Sequence, residues 1–221
     1  MKRNTAAPMI RVSSEDLARE PHPHAPSKLA HVVMKTPRRR EMAEWYTTVL
    51  DGTVTFEDRM ITFITYDHEH HRIALIGTPW LLRIPGIVWS RHRKFWGVDH
   101  IAFTYESLDK LVTNYRRLAD LGIEPVWTIN HGPTTSMYYE DPDGHRLELQ
   151  VDNFATNEEL LAWLDSGEFE ADPIGVDFDP DVLEARIAQG VPRRELVKRG
   201  SAVPAGARPR AGLRTITWKT L

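Results

Sequence analysis

Two histidines and one carboxylate stand at matched places in two similar halves of this chain. Each half opens with a histidine inside an apolar run, at residues 30–34 and 99–103. Each half closes with a His-Arg pair followed by an apolar strand pattern, at residues 71–75 and 145–149. His31, His100 and Glu148 can therefore converge on a metal ion, whereas Ala74 stands where symmetry would put a fourth ligand. Such a centre stays open to a substrate.

Taken singly, these residues have ordinary structural roles. A histidine inside an apolar strand is most often a core or interface residue that makes one hydrogen bond. Strand residues two apart share a face, so Leu147 and Leu149 point to one side and Glu148 to the other. Glu148 then faces a cavity, where an unpaired carboxylate is costly. The repeat therefore favours the ligand interpretation.

Composition limits the class of protein and the type of metal site. The chain has 221 residues, 41% of them hydrophobic, and a formal net charge of -3, which suits one substantial core or two small modules. It has no cysteine, so disulfides and thiolate sites are excluded and a metal must be held by imidazole and carboxylate. No secretion signal and no uncharged run of transmembrane length occurs, so we expect a cytoplasmic protein without a membrane partner.

The predicted elements follow the same order twice, which is strand, helix and three strands, or βαβββ. In the first half, strands are expected at residues 29–34, 53–57, 60–66 and 71–76, and a helix capped by Thr36 at 37–50. In the second half, strands are expected at residues 98–103, 125–129, 135–139 and 146–151, and a helix capped by Ser107 at 108–121.

These modules resemble the vicinal oxygen chelate superfamily, which includes glyoxalase I and the type I extradiol ring-cleaving dioxygenases. The resemblance covers residues 28–154 through the motifs LAHVVMKTP, VDHIAFTYESLD and MYYEDPDGHRLELQVDNF. The chain is most similar to single-domain extradiol dioxygenases of the 2,3-dihydroxybiphenyl group, through DHEHHRIAL, INHGPTTSMYY and Ala74. The resemblance implies an α+β fold in which the two modules pair into a curved mixed sheet.

The resemblance also implies roles for individual residues. The metal ligands of the family fall on His31, His100 and Glu148. They imply Fe(II), with Mn(II) as the alternative, and leave positions free for a catechol and dioxygen. The family's acid–base histidine falls on His71, and an imidazole suits that role because it titrates near neutrality. His131 and Tyr138 match the pair that hydrogen-bonds the bound substrate.

Each of these three further residues also has an ordinary alternative. His71 ends a polar turn at residues 67–71, which is typical of a surface histidine. His131 precedes a loop, where histidines are often merely exposed. Tyr138 and Tyr139 are adjacent, so a register slip of one residue would exchange them between cavity and core.

The chain is expected to divide into an N-terminal arm at 1–27, the vicinal oxygen chelate domain at 28–154 and a C-terminal extension at 155–221. Within the domain, the modules are predicted at 28–76 and 98–152, joined by a connector at 77–97. The connector carries large side chains, including Trp80 and Trp89, and is interpreted either as a lid over an aromatic substrate or as a subunit contact.

The C-terminal extension is predicted to be helical. Thr156 and Glu159 form a capping box ahead of one helix, and Asp179 opens another. The basic end of the chain, from Pro192 onward, is interpreted as a solvated arm, because no nucleic-acid-binding motif accompanies it.

The leading hypothesis is an Fe(II)-dependent extradiol dioxygenase that cleaves the ring of an aryl- or alkyl-substituted catechol with O2, in a homo-oligomer. One alternative is an isomerase or lyase of the same superfamily with Zn, Ni or Mn. Such enzymes commonly have a fourth protein ligand where this chain has Ala74. The other alternative is a non-catalytic small-molecule-binding protein of this fold, a class that generally lacks the metal triad.

Overall fold

The computed structural model describes residues 25–79, 98–204 and 206. Most of the predicted N-terminal arm, the connector with Trp80 and Trp89, and the last basic residues lie outside the described part of the chain. Within the described ranges, no helix has the length and apolar character needed to cross a membrane.

The first module has the predicted βαβββ order. Its elements are β1 Val32–Thr36, α1 Arg39–Val49, β2 Thr53–Glu57, β3 Ile61–Thr65 and β4 Ile73–Gly77. The strands form a sheet in the order β1-β4-β3-β2, in which β1 and β4 are parallel and the other neighbours are antiparallel. The opening and closing strands of the module are therefore direct neighbours.

The second module repeats this topology. Its elements are β5 His100–Thr104, α2 Leu108–Asp120, β6 Trp127–Asn130, β7 Thr134–Glu140 and β8 Arg146–Asp152. The strand order is β5-β8-β7-β6, again with the opening and closing strands parallel. The predicted α+β class with two βαβββ modules is confirmed, and the described strands form two mixed sheets in which β1 and β5 are edge strands.

Helix α1 begins two residues later than the sequence predicts. Thr36, the predicted cap, is instead the last residue of β1, where it pairs with Gly77 and its carbonyl accepts a hydrogen bond from the Thr78 N–H at 2.9 Å. The Thr36 hydroxyl accepts a hydrogen bond from the Arg38 N–H at 2.9 Å. Because the sheet holds the backbone of Thr36, the cap position passes to Arg38, whose side chain makes no capping bond.

Helix α2 begins where the sequence predicts. The Ser107 hydroxyl accepts a hydrogen bond from the Lys110 N–H at 3.2 Å, which satisfies one of the free donors of the first turn. Its apolar face joins that of α1 in one core that extends across both modules. This core includes Met42, Tyr46, Leu75, Leu111, Leu118, Met137, Leu147 and Leu149.

Side-chain hydrogen bonds from α1 and α2 also join the two modules. The buried Tyr46 of α1 donates its hydroxyl to Asp141 Oδ2, in the turn between β7 and β8, at 3.1 Å. Asn114 of α2 donates to the carbonyl of Val49, at the end of α1, at 3.3 Å. Each bond connects one module to the other, so the relative position of the two modules is specified by polar contacts as well as by apolar packing.

The C-terminal extension adds helices and one short strand. Its elements are α3 Asn157–Asp165, α4 Glu168–Ala171, β9 Val176–Asp177, α5 Pro180–Ala188 and α6 Arg193–Leu196. Thr156 and Asp179 cap α3 and α5 as predicted. The expectation of a purely helical extension is incomplete, because β9 pairs with β6 and becomes the fifth strand of the second sheet. A strand of two residues has too few positions to show alternation in the sequence.

Replacement of Tyr46 by Phe should lower the free energy of unfolding by about 1.5 kcal/mol, because a buried carboxylate loses one of its hydrogen-bond donors. Urea unfolding followed by circular dichroism measures the change. The matched control is Tyr66→Phe, because Tyr66 is 42% exposed, and its cost should stay within about 0.5 kcal/mol. Equal unfolding midpoints for the two variants would contradict a stabilising bond between the modules.

Candidate active site

The register of the strands gives Glu148 and Ala74 equivalent places in the two modules. Glu148 on β8 lies between Ala102 on β5 and Tyr138 on β7. In the same way, Ala74 on β4 pairs with Phe63 on β3. The second module therefore presents a carboxylate and a phenol where the first presents a methyl group and a phenyl ring. At these equivalent places, only the second module has polar side chains.

Glu148 is a buried carboxylate between two core residues. Leu147 and Leu149 are 0% and 1% exposed and belong to the hydrophobic core, whereas Glu148 is 5% exposed on the opposite face of β8. Burial alone would raise the pKa of Glu148, but hydrogen bonds from His100, Ser136 and Tyr138 outweigh it and lower the pKa. The carboxylate is therefore ionised and has several partners.

His100 lies between two carboxylates. Its Nε2 is 3.0 Å from Glu148 Oε2, and its Nδ1 is 2.7 Å from Asp99 Oδ2. The hydrogen bond with Glu148 is the largest cause that raises the pKa of His100 to about 9, against the opposing effect of burial. In the protein without metal, a proton on His100 therefore neutralises part of the negative charge at this position.

Tyr138 and His131 extend this group of contacts. The Tyr138 hydroxyl lies 3.0 Å from His131 Nε2 and also bonds Glu148. Burial, followed by the charge of Glu148, raises the pKa of Tyr138, so its hydroxyl keeps its proton. The register pairs the neighbouring Tyr139 with Leu147, and Tyr139 is 1% exposed in the core. The face assignment that the sequence left open thus places Tyr138 beside Glu148.

Two residues beside Tyr138, Ser136 and Trp127, were not predicted from the sequence. Ser136 lies two residues before Tyr138 on β7, and alternation along that strand would have placed both on the same face. Trp127 pairs with Tyr138 across β6 and stacks on its ring at a centroid distance of 5.0 Å. Nothing in the sequence around Trp127 distinguishes it from a core aromatic residue. Its contact with Tyr138 depends on the register between β6 and β7, which the local sequence does not show.

The first module brings His31 and His71 together. Their ring centroids are 4.4 Å apart, and His71 also stacks on Phe63 at 4.1 Å. His71 is 8% exposed and therefore lies inside, unlike the exposed His70, whose Nδ1 is 2.5 Å from His71 Nδ1. Burial, followed by the neighbouring histidines His31 and His70, lowers the pKa of His71. His71 is therefore neutral near pH 7.

Two of the three predicted ligands fit a metal as they stand. Cis ligands bonded at about 2.1 Å lie about 3 Å apart, which matches the separation between His100 and Glu148. Imidazole with carboxylate is also a donor set that suits Fe(II) or Mn(II). Among residues 25–79, 98–204 and 206, however, no three His, Asp or Glu side chains are grouped closely enough to hold an ion. His31 lies against His71 instead, and its role as a ligand stays a prediction.

Comparison with known proteins gives the family of the chain. A family model described as the Glyoxalase/Bleomycin resistance protein/Dioxygenase superfamily matches residues 28–149, which span both modules. Among solved structures, a lactoylglutathione lyase from Agrobacterium tumefaciens is 14% identical and covers 57% of this chain and 94% of its own, with a TM-score of 0.44. A similarity at that level adds nothing to the family model.

Two curated relatives are more similar. Biphenyl-2,3-diol 1,2-dioxygenase 2 of Rhodococcus globerulus is 44% identical over 170 residues, which cover 76% of this chain and 85% of the relative. Biphenyl-2,3-diol 1,2-dioxygenase 3 of the same organism is 42% identical over 176 residues, which cover 80% of this chain and 90% of the relative. Each alignment is longer than the range 28–149 that spans the two modules, so the similarity extends beyond that range.

Replacement of His100 by Gln should weaken the pH dependence of unfolding in the metal-free protein. Because the pKa of His100 is raised by folding, its contribution is complete below about pH 6.5 and is lost as the pH rises through about 9. Urea unfolding at about pH 6 and about pH 9.5 measures the difference in each protein. The control is His68→Gln, at an exposed turn histidine, which should behave like the wild type. The same pH dependence in all three proteins would contradict the stabilising role of the His100 contact.

Proposed function

Because this chain belongs to the glyoxalase/bleomycin resistance protein/dioxygenase superfamily and is a dioxygenase within it, we propose that it cleaves the ring of an aryl-substituted catechol by an Fe(II)-dependent extradiol reaction with O2. The observation that carries the proposal is the continuous group of contacts His100, Glu148, Tyr138 and His131. This group combines two candidate metal ligands with two polar side chains that can hold a substrate beside them.

Fe(II) would be held by His100 and Glu148, with His31 as the third ligand. When bound, the metal would bring the catechol and dioxygen together and would allow electron transfer from the ring to oxygen. Ala74 has no donor at the place equivalent to Glu148, so this chain would leave coordination positions free for the two substrates.

His71 is the base that takes a proton from the catechol. Its pKa is lowered by burial, so the ring is neutral near pH 7 and its free lone pair can accept a proton. Phe63 stacks on the ring and fixes its plane. After ring opening, the same imidazole can return the proton to the product.

Tyr138 and His131 orient the substrate. The raised pKa of Tyr138 keeps its hydroxyl protonated, so it can donate a hydrogen bond to an ionised catechol oxygen. The pKa of His131 is lowered by burial, which keeps its imidazole neutral. The pair therefore presents one donor and one acceptor to the substrate without adding positive charge.

An aryl substituent on the catechol is supported by the relatives and by the aromatic surroundings. Both relatives are named for biphenyl-2,3-diol, a catechol that carries a phenyl group. Trp127 and Phe63 contribute aromatic surface from the two modules, beside Tyr138 and His71 respectively. Burial of a phenyl group against such surface contributes about 2 kcal/mol, or roughly thirtyfold in specificity.

Anaerobic reconstitution of the protein with Fe(II), followed by assay in air, tests the proposal. The wild type should convert 3-phenylcatechol into a yellow, ring-opened unsaturated oxo acid with uptake of one O2, and kcat/KM should exceed that for catechol by roughly thirtyfold. Oxygen uptake and absorbance measure the two events independently. If the iron-loaded protein consumes no O2 with either compound, the proposed function is wrong.

Metal analysis separates ligands from the other residues of the site. Glu148→Gln, His100→Ala and His31→Ala should each lose most of the bound iron, because each removes one of three donors. Glu106→Gln is the control, since it changes a carboxylate whose side chain is 78% exposed. Iron content equal to that of the control in all three variants would refute the ligand assignment.

His71→Phe should keep its iron and its affinity for 3-phenylcatechol but lose about a hundredfold in kcat, because only the proton-accepting group is removed. A phenyl ring can keep the stacking on Phe63, so the fold should be preserved. Iron content and the dissociation constant of the anaerobic catechol complex are measured beside kcat. Loss of iron in this variant would instead make His71 a ligand.

A further inference from the structure

We propose that the C-terminal extension holds His131 in a single tautomer and orientation, and that Arg199 is the positioning residue through which it does so. The inference rests on the proposed function, because it concerns a side chain placed at the substrate. Its basis is a set of contacts that reach His131 from outside the two βαβββ modules.

The tautomer follows from one hydrogen bond. His131 Nδ1 lies 2.5 Å from the carbonyl oxygen of Ile174, in the segment between α4 and β9. A carbonyl oxygen only accepts hydrogen bonds, so Nδ1 must carry the proton. In a neutral imidazole Nε2 then has a free lone pair, and this atom faces the Tyr138 hydroxyl at 3.0 Å.

This tautomer determines the direction of the hydrogen bonds at the substrate. The single hydroxyl proton of Tyr138 has two acceptors within reach, the Glu148 carboxylate and His131 Nε2. With Nδ1 protonated, His131 can only accept at Nε2, so it accepts a proton from the phenol or from a catechol hydroxyl. The opposite tautomer would present an N–H at the same place and would compete with Tyr138 as a donor.

Arg199 holds the backbone of His131 from the extension. Its Nη2 donates to the His131 carbonyl oxygen, and its Nη1 donates to the Glu168 carbonyl oxygen at 3.4 Å. Its guanidinium carbon lies 4.9 Å from the ring centroid of Trp163. A planar guanidinium that stacks on an indole while it donates to two carbonyls has little freedom to move. Arg199 therefore links His131 to both α3 and α4.

Two glycines allow this close approach. At Gly132, which follows His131 and has φ of 102°, an added Cβ would overlap the ring of Trp163. At Gly175, with φ of 111°, an added Cβ would overlap the Asn130 carbonyl and lie 2.7 Å from His131 Cα. Both positions need a residue without a side chain and with positive φ. The extension therefore packs directly against the backbone around His131.

Histidine tautomers are measured directly by two-bond 1H–15N spectra of the full-length, metal-free protein labelled with 15N-histidine. The His131 signals are assigned by their loss in His131→Asn. We expect the Nδ1–H tautomer in the wild type and a mixture of both tautomers in Arg199→Ala. With iron bound, Arg199→Ala should lower kcat for 3-phenylcatechol about tenfold, with iron content unchanged and KM changed by less than about threefold.

Two further variants keep the test decisive. Arg194→Ala is the matched control, because the side chain of Arg194 is 85% exposed on α6, and it should change neither the tautomer nor kcat. Trp163→Leu removes the ring beneath the guanidinium but keeps an apolar side chain, so it serves if Arg199→Ala unfolds. It should also produce a mixture of tautomers.

The Nε2–H tautomer in the wild type would overturn the inference, as would an unchanged single tautomer in both Arg199→Ala and Trp163→Leu. A loss of kcat that Arg194→Ala reproduces would overturn it as well. The spectra need neither iron nor a catechol, so they decide the positioning independently. A wild type that cleaves no catechol would refute the proposed function instead.

Discussion

The buried carboxylate of Glu148 is the constraint on which the second module depends. Its neighbours on β8, Leu147 and Leu149, lie in the core, so alternation forces Glu148 to the opposite face at 5% exposure. A carboxylate buried there must find hydrogen-bond donors, because burial without them is costly. His100 and Tyr138 provide donors from the two strands that flank β8. Burial and the contacts with Glu148 then shift the pKa of His100 and of Tyr138, and such shifts are common at sites of acid–base or metal chemistry.

The two modules share a topology but differ in polarity, and this difference determines which groups each module would contribute to the proposed site. In the first module the place of Glu148 is occupied by Ala74, which is buried beside Phe63 and needs no partner. The first module therefore contributes apolar surface and the neutral His71, whereas the second contributes charge. Polar contacts between the two modules, such as the bond from Tyr46 on α1 to Asp141 in the turn between β7 and β8, also hold the modules together. A catechol has both an apolar ring and an acidic edge, which suits such a division.

The C-terminal extension is part of this architecture. Strand β9 continues the second sheet, and Arg199 donates a hydrogen bond to the carbonyl oxygen of His131. An imidazole on a loop has two tautomers and several orientations, and each binds a substrate differently. The carbonyl of Ile174 selects one tautomer, and the pairing of β9 with β6 fixes where that carbonyl lies. The extension therefore supplies rigidity to a loop residue that the βαβββ repeat by itself leaves unsupported.

The sequence by itself determined the elements and their repetition. The strands of both modules, the Ser107 and Asp179 caps and the faces of β8 follow from alternation and capping, which act between residues close in the chain. The tertiary structure alone decided the start of α1, the existence of β9 and the choice of Tyr138 over Tyr139, since each depends on the register of a distant strand. It also decided which atoms of His131 carry protons, because its hydrogen-bond partner Ile174 lies 43 positions further along the chain. Local pattern fixes which side chains share a face, but only packing fixes which of them meet.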